Sequence, residues 1–375
     1  MLYNKLKEYT ECGVYPMHMP GHKRNTRCLP HGLPYDIDIT EIPGFDDLHD
    51  SRGILRETAE LASDLYGGNR AFLLVNGSTV GNLAAIGANT KRGDKVLVTG
   101  NCHRSVYNAI DLFGLDSVCI TPEIDKASNL SLSINPDSVE AALEKDGAIK
   151  LVVVTSPTYE GVISNIRSIA RIVHARSIPL LVDSAHGAHL GFSEYFPDSA
   201  VHAGADVVVM SLHKTLPALT QCSLLHVCSN RTSVSEVSRL LSVLQTSSPS
   251  YVLMASIDRC LRLLAAERDK FFCEYERNLA RFSDSVKDLR NLHALYHCAN
   301  PLHPGFFAFD PGKIVIITKN TPLSGFALAD ILRTEYNIEI ELATAGYVVA
   351  MTSICDTPEG FSRLSDALVR IDFTI

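Results

Sequence analysis

The 375-residue chain contains no apolar stretch of the roughly 18 residues that a membrane-spanning helix requires. Its first residues also lack the apolar core of a signal peptide. There is no long run of Lys or Arg and the formal net charge is −8, so we expect no nucleic-acid partner. The ten cysteines include no CxxC pair, which favours reduced thiols over a disulfide framework. These absences together predict a cytoplasmic protein.

Short apolar runs that alternate with helical patterns dominate the middle of the chain. They lie at residues 71–75, 95–99, 151–155, 179–183, 207–210 and 223–227. Strands that alternate with helices form βαβ units, which indicates an α/β fold with a mostly parallel sheet. We expect the first helix of this region to begin after Ser51 as its N-cap and to stop at Gly67.

This pattern divides the chain into three regions: an N-terminal arm at 1–50, a large domain at 51–290 and a smaller α+β domain at 291–375. The arm is rich in Pro, Gly, His and Asp and shows no helical period, so we expect it to need another surface for its order. Residues 250–289 are predicted to form long helices that link the domains, and residues 313–318 to begin the sheet of the smaller domain.

One lysine lies in a setting suited to a cofactor aldehyde. Lys214 follows the apolar run at 207–210, with Ser211, His213 and Thr215 as polar neighbours. A lysine that is shielded from water can lose its proton and act as a nucleophile. Taken alone, such a residue is more often an exposed lysine after a buried strand.

An aspartate at the end of an earlier strand changes that interpretation. Asp183 ends the apolar run at 179–183, and a loop of small residues follows it. The ends of neighbouring parallel strands meet at one edge of an open α/β sheet, where such proteins bind ligands. A lysine that holds the cofactor and a carboxylate that keeps its ring nitrogen protonated form the layout that pyridoxal phosphate requires.

Ser78 and Thr79 are candidates to bind the phosphate. Together with Gly77 they follow the first apolar run and open a helix, whose N-terminal N–H groups and dipole favour an anion. An ordinary N-cap role is compatible with the same residues. His103 follows the run at 95–99, although a histidine at such a place is more often a hydrogen-bonded loop residue.

The spacing of the histidines does not predict a metal site. His103 lies on one loop, and His186 and His189 lie on another. The sequence contains no HExxH motif and no paired Cys–His spacing. We therefore expect no metal.

Six segments of the chain form a further pattern in a fixed order. They are Met19-Pro20-Gly21-His22-Lys23, residues 38–49, residues 76–82, residues 101–105, residues 183–187 and residues 211–221. In this order the segments resemble the Orn/Lys/Arg decarboxylases, a family of fold-type-I pyridoxal-phosphate enzymes, over nearly all of the chain.

The resemblance implies a large cofactor-binding domain and the cofactor pyridoxal 5′-phosphate. The residues that it assigns to the cofactor are Lys214, Asp183, His103, Ser78, Thr79, Ser211, His213 and His186. His103 is expected to stack on the cofactor ring, and Ser211 to bind the phosphate. His213 is expected to contact the phosphate or the reacting face, where it could supply the proton that replaces carbon dioxide. Lys214, Asp183, His213 and His103 are therefore the catalytic candidates.

The reaction is less determined than the cofactor, because aminotransferases share the fold and the lysine. Transaminases usually clamp the substrate carboxylate with an arginine on a small-domain strand, and residues 346–353 contain none, although Arg333 or Arg363 could reach the site. We therefore favour decarboxylation of lysine, arginine or ornithine, as in polyamine biosynthesis. An aminotransferase, a Cα–Cβ lyase and a non-catalytic relative that acts as a binding partner stay as alternatives.

Four acidic residues of the arm are candidates to bind the distal amine or guanidinium of the substrate: Asp38, Glu41, Asp46 and Asp47. A cluster of this kind is also typical of a solvated loop. The resemblance further implies a homodimer with shared active sites, because the cofactor of fold-type-I enzymes lies at a two-fold interface. Larger relatives continue beyond the position of Ile375 and carry an N-terminal wing; we expect these differences to affect assembly and substrate access rather than the cofactor.

Overall fold

The structure is a computed structural model that describes residues 1–12, 20, 32–126, 128–295, 305–319 and 321–375. Of the predicted segment Met19–Lys23, all but Pro20 lies outside the described residues. The helices are α1 (Leu2–Glu11), α2 (Ile54–Tyr66), α3 (Gly77–Asn89), α4 (Arg104–Phe113), α5 (Pro136–Lys145), α6 (Ile166–His174), α7 (Leu212–Thr215), α8 (Val234–Leu244), α9 (Tyr251–Val286), α10 (Gly325–Tyr336) and α11 (Pro358–Thr374). The strands are β1 (Arg70–Leu74), β2 (Lys95–Thr99), β3 (Asp116–Ile120), β4 (Ile149–Thr155), β5 (Val162–Ile163), β6 (Leu180–Asp183), β7 (Val207–Ser211), β8 (Ser223–Val227), β9 (His293–Leu295), β10 (Ala308–Phe309), β11 (Lys313–Ile317), β12 (Leu342–Ala343) and β13 (Tyr347–Met351).

A seven-stranded sheet in the order β1-β8-β7-β6-β4-β2-β3 is the largest layer. The strands from β7 to β3 are parallel, whereas β8 is antiparallel to both β7 and β1. The predicted α/β fold with a mostly parallel sheet is confirmed. The edge strand β3 was not predicted, because its residues are largely exposed and form no apolar run.

The central strands are buried on both faces because helices cover both sides of the sheet. Along β6, Leu180 and Val182 belong to one hydrophobic cluster, whereas Leu181 belongs to the cluster on the opposite face. This alternation follows from the two-residue repeat of a strand. Near-continuous apolar runs are typical of parallel strands covered in this way. The sheet therefore holds its strand ends rigidly, including the polar residues that follow β6 and β7.

A single long helix follows the sheet where several helices were predicted. Helix α9 begins after Ser250, whose hydroxyl accepts a hydrogen bond from the Leu253 N–H. A four-stranded antiparallel sheet, in the order β12-β13-β11-β9, lies beyond it with α10 and α11. This sheet begins with β9 rather than at Lys313. Among the described residues, no helix is both long and apolar enough to cross a membrane.

The arm, in which the sequence shows no helical period, contains the helix α1. Leu2 and Leu6, one turn apart on α1, are fully buried, and α1 packs against α9. The carboxylate of Asp258 on α9 accepts a hydrogen bond from the Leu2 N–H and so satisfies a free donor at the start of α1. A helix this short depends on tertiary contacts for its stability, and these contacts leave only a weak periodic pattern in the sequence.

The N-cap predicted for α2 was wrong. The helix begins after Gly53 rather than after Ser51. Asp46 accepts hydrogen bonds from the N–H groups of Gly53 and Leu55, so a residue of the arm caps the helix. The predicted end is confirmed, because Gly67 takes a left-handed backbone conformation with φ 75°.

Candidate active site

The carboxyl edge of the large sheet brings together residues from two parts of the chain. Strands β6 and β7 are parallel neighbours, with Asp183 opposite Val209. Asp183 is the last residue of β6, and Ser211 is the last residue of β7. Lys214 follows on the short helix α7. The expected meeting of Asp183 and Lys214 at one sheet edge therefore follows from the order of the strands.

Asp183 is a buried carboxylate, with 2% of its surface exposed. It accepts hydrogen bonds from the Asn82 amide at 2.8 Å and from the Ala185 N–H at 3.2 Å. Burial raises the pKa of Asp183, and these two hydrogen bonds together with the charges of His103 and Lys214 oppose that rise. A buried carboxylate with neutral donors alone is costly unless a positive charge joins it.

A hydrogen-bond chain ties Asp183 to His103. Asn82 on α3 donates to Asp183 and also to the hydroxyl of Ser105 at 2.9 Å. Ser105 in turn contacts Nδ1 of His103, with 2.8 Å between the hydroxyl oxygen and the ring nitrogen. His103 is exposed and is the N-cap residue of α4, where its Nδ1 accepts from the Ser105 N–H. The ring is thus held at Nδ1 by Ser105, while the residue is exposed.

Lys214 lies in a chain of three nitrogen groups. Its Nζ is 2.9 Å from Nε2 of His186, and Nδ1 of the same ring is 3.2 Å from Nζ of Lys313. Burial lowers the pKa of Lys214, against the opposing charges of Asp183 and Glu341. Lys214 therefore loses its proton more readily than an exposed lysine, as a nucleophilic amine must.

His213 has a defined tautomer. Its Nδ1 is 2.9 Å from the carbonyl oxygen of Cys222, and a carbonyl can only accept, so Nδ1 carries the proton. Burial lowers the pKa of His213, which favours the neutral ring. Nε2 then has a free lone pair and must first be protonated before His213 can supply the proton that replaces carbon dioxide. That role stays a prediction.

The first turn of α3 lies beside the Lys214 segment. The N–H of Gly77 donates to the carbonyl of Gln221, just beyond α7. Gly77 has φ 71°, and a Cβ there would meet no atom within 4 Å. Ser78 is half-buried and Thr79 is exposed, so the first turn of α3 is accessible. Ser211, by contrast, is fully buried with its hydroxyl 3.5 Å from that of Ser223.

Three of the four acidic candidates of the arm, Glu41, Asp46 and Asp47, lie near Tyr251 at the start of α9. Asp46 caps α2, and its carbonyl accepts from the hydroxyl of Tyr251. Glu41 accepts from Thr40, and Asp47 accepts from the His49 N–H. Among the described residues, the acids that act on the charge of Lys214 are Asp183 and Glu341, rather than Asp38 or the other three. A role of these four in substrate binding stays a prediction.

Four residues near this edge were not selected from the sequence: Asn82, Lys313, Tyr159 and Glu341. Asn82 belongs to a segment that was recognised, but its contact with Asp183 depends on the packing of α3 against the sheet. Lys313 opens an apolar strand and was interpreted as a strand residue only. Tyr159 has its ring 4.5 Å from that of His186, and its hydroxyl donates to Glu341. A lysine at the start of an apolar strand was the one sequence signal available for Lys313.

Within the described part of the chain, no group of three or more His, Cys, Asp or Glu residues has a geometry that could hold a metal ion. The arrangement instead combines a shielded amine, a buried carboxylate and an accessible helix N-terminus. Such a set can bind an anionic, aromatic aldehyde cofactor and stabilise positive charge on it.

Known proteins share this architecture. Over 99% of the chain, the structure is similar to that of the Francisella novicida lysine decarboxylase LdcF, with a TM-score of 0.86 and 18% sequence identity. The chain spans 60% of the length of that protein. Aminotransferases and a serine palmitoyltransferase are also among the similar structures. The fold is therefore that of the fold-type-I pyridoxal-phosphate enzymes, as predicted.

Sequence relatives support a narrower grouping. The chain is 39% identical to the uncharacterised protein YaaO of Bacillus subtilis and 35% identical to an arginine decarboxylase of Halalkalibacterium halodurans. Each match covers 98% of the chain and 76% of the relative. The family model for the Orn/Lys/Arg decarboxylase major domain matches residues 1–314. The chain therefore belongs to the Orn/Lys/Arg decarboxylase family.

Proposed function

We propose that the protein is a pyridoxal-phosphate-dependent decarboxylase of a basic amino acid: arginine, lysine or ornithine. The observation that carries this proposal is the buried Asp183 carboxylate, which lies at the same sheet edge as the shielded amine of Lys214. The relatives named arginine decarboxylase and lysine decarboxylase support the choice of reaction.

A comparison with a second buried carboxylate supports the fit to the cofactor. Asp206 lies at the opposite edge of the same strands. Its carboxylate forms hydrogen bonds with His174, Arg231 and other groups of the chain. Asp183 has hydrogen bonds from an amide and a backbone N–H, and no described cationic side chain forms an ion pair with it. The protonated ring nitrogen of pyridoxal phosphate would supply the missing positive charge.

The other residues of the edge fit the remaining parts of the cofactor. Ser78, Thr79 and the first N–H groups of α3 would hold the phosphate. The exposed His103 would stack on the cofactor ring, and Lys214 would hold the aldehyde carbon. His186, which contacts Lys214, and His213, the neighbour of Lys214 on α7, would lie beside the bound cofactor.

Pyridoxal phosphate supplies an electron sink for the electron pair that is released when carbon dioxide leaves. The residues of the chain orient the reaction. Asp183 would keep the proton on the ring nitrogen, and burial of this site would strengthen that charge interaction. Strand β13 carries no arginine to clamp the substrate carboxylate, which favours its loss over transamination.

The test begins with the site of covalent attachment. We expect borohydride reduction of the cofactor-loaded protein, followed by peptide mapping, to place the cofactor on Lys214. Lys214→Ala should abolish the adduct, whereas Lys150→Ala, at an exposed lysine on β4, should retain it. An adduct on another lysine would contradict the assignment.

Substrate choice is tested by product. The loaded protein is incubated separately with arginine, lysine and ornithine, and the products are identified by mass spectrometry. We expect one of the three to yield its amine and carbon dioxide. Formation of a keto acid in the presence of an amino-group acceptor would identify an aminotransferase instead.

A further inference from the structure

Lys313 is a buried lysine for which the proposed reaction provides no role. It is 1% exposed and lies at the start of β11. Burial lowers the pKa of Lys313 to about 8, with Asp310 opposing and the charge of Lys214 adding to the decrease. A lysine is rarely buried to this extent without a specific partner.

The surrounding structure holds Lys313 in place. Gly161 has φ 101°, and a Cβ there would lie 2.8 Å from Cβ and Cγ of Lys313, so the Gly161 backbone packs directly on the lysine stem. Asp310 accepts from the Gly312 N–H and lies 3.0 Å from Nε2 of His189. The loop of His186 and His189 is thus joined to the Asp310–Lys313 turn at two points.

The hydrogen bonds between Lys214, His186 and Lys313 limit how many protons these three groups can hold together. Burial, together with the two lysine charges, lowers the pKa of His186 well below its usual range, so the ring is neutral. A neutral imidazole has one N–H and one lone pair. One lysine must therefore donate to the ring, and the other must accept from it, which only an unprotonated amine can do. If both contacts are hydrogen bonds, one of the two lysines lacks its extra proton.

We propose that Lys313 is a positioning residue that acts through His186 to remove the proton from the Lys214 amine and so keep Lys214 nucleophilic. In this step an N–H bond of the Lys214 ammonium breaks and one forms at Nε2 of His186. The N–H bond at Nδ1 breaks, and one forms at Nζ of Lys313. The total charge is unchanged, and no further reactant takes part. The inference rests on the proposed function, because it is the cofactor aldehyde that requires an unprotonated Lys214.

Described charged groups from several elements act on Lys214, His186 and Lys313. Asp183 and Glu341 act on Lys214. Asp310, Glu341 and Glu160 act on Lys313. His103 and His189 act on His186. Glu341 acts on both lysines, whereas each of the other acids acts on one of them, and the ring of His186 is the group that contacts both amines.

The experiment measures Lys214 directly in the full chain freed of any cofactor. The protein is labelled with an amine-reactive reagent over a range of pH, and the label on Lys214 is quantified by peptide mass, with exposed Lys150 as internal reference. In the Lys313→Met variant, the His186 ring keeps its proton on Nδ1, and its Nε2 accepts a hydrogen bond from the Lys214 ammonium. We expect the labelling midpoint of Lys214 to rise by roughly one pH unit or more.

Two further variants separate this role from a structural one. Lys313→Gln keeps a polar tip but takes up no proton, so the same upward shift is expected. Ile317→Met changes the far end of β11, and no shift is expected. An unchanged Lys214 midpoint in folded Lys313→Met and Lys313→Gln would overturn the proposal.

A double-mutant comparison tests whether the effect passes through His186. In the His186→Phe background, Lys313→Met should produce no further shift of the Lys214 midpoint. A shift of the same size in that background would show that Lys313 acts by its charge alone and would overturn the proposal. Because labelling needs no cofactor, failure of wild-type protein to attach pyridoxal phosphate at Lys214 would count against the proposed function instead.

Discussion

The carboxylates of Asp183 and Asp206 show how position within one sheet changes the role of a residue. Both are buried, one at each edge of the strand pair β6 and β7. Asp206 accepts from the Leu180 N–H and forms an ion pair with Arg231, with 3.3 Å between nitrogen and oxygen, so a cation of the chain itself balances its charge. Asp183 receives neutral donors, and its pKa is raised by burial. The first arrangement stabilises the fold, whereas the second favours a bound cation.

Asp183→Asn should retain the cofactor on Lys214 but lower turnover by ~10²-fold or more, because the ring nitrogen would no longer be held protonated. Turnover per loaded site is compared with that of Asp206→Asn, which should lower stability but leave turnover per folded, loaded protein nearly unchanged. Near-normal turnover in Asp183→Asn would show that Asp183 is not the partner of the ring nitrogen.

At the scale of elements, the start of α2 shows that a cap can come from a distant turn. Asp46 has φ 71°, and its carboxylate accepts from the N–H groups of Arg52, Gly53 and Leu55. Burial alone would raise the pKa of Asp46, but these backbone donors outweigh it, and the pKa is lowered. The carboxylate therefore stabilises the helix in its ionised form.

Asp46→Ala should lower the free energy of unfolding by about 1 kcal/mol, measured by urea denaturation at neutral pH. The loss should shrink as the pH falls below about 4, because a carboxylate with a lowered pKa contributes stability above its unfolded pKa and loses it on protonation. Asp47→Ala, at an exposed neighbour, is the matched control. An Asp46→Ala protein with unchanged stability but a greatly raised KM would favour the substrate role instead.

At the scale of the whole molecule, residues 32–50 of the arm pack on their own chain and carry the acidic candidates. Ile37, Ile39 and Phe45 are buried in the main hydrophobic cluster, whereas Glu41 and Asp47 remain at least partly accessible. Their charges act on Tyr251 at the start of α9 rather than on Lys214. We propose that they serve the site of a second copy in a homodimer.

Mixing two inactive chains tests this sharing. One chain carries Lys214→Ala, and the other carries Glu41→Gln with Asp47→Asn. In a hybrid dimer with shared sites, one site receives Lys214 from the second chain and intact acids from the first. Full exchange should restore roughly a quarter of wild-type activity, since half of the dimers are hybrids with one intact site each. Hybrids that form but stay inactive would show that these acids do not act across the interface.

The sequence by itself determined the α/β class, most strands of the sheet and the location of Asp183 and Lys214 at one edge of that sheet. These features are local, because an apolar run specifies a buried strand and the residue after it lies at the sheet edge. The left-handed Gly67 at the end of α2 was equally local. The motif segments then connected these positions to one family.

Only the tertiary structure decided which groups surround Asp183 and Lys214. Asn82 reaches Asp183 across 101 positions of the chain, and Lys313 reaches His186 across 127. The helix α1 and the Asp46 cap depend in the same way on contacts with distant elements. No local pattern encodes such contacts, because they arise when separate helices and sheets pack, and burial then sets the charge of each group.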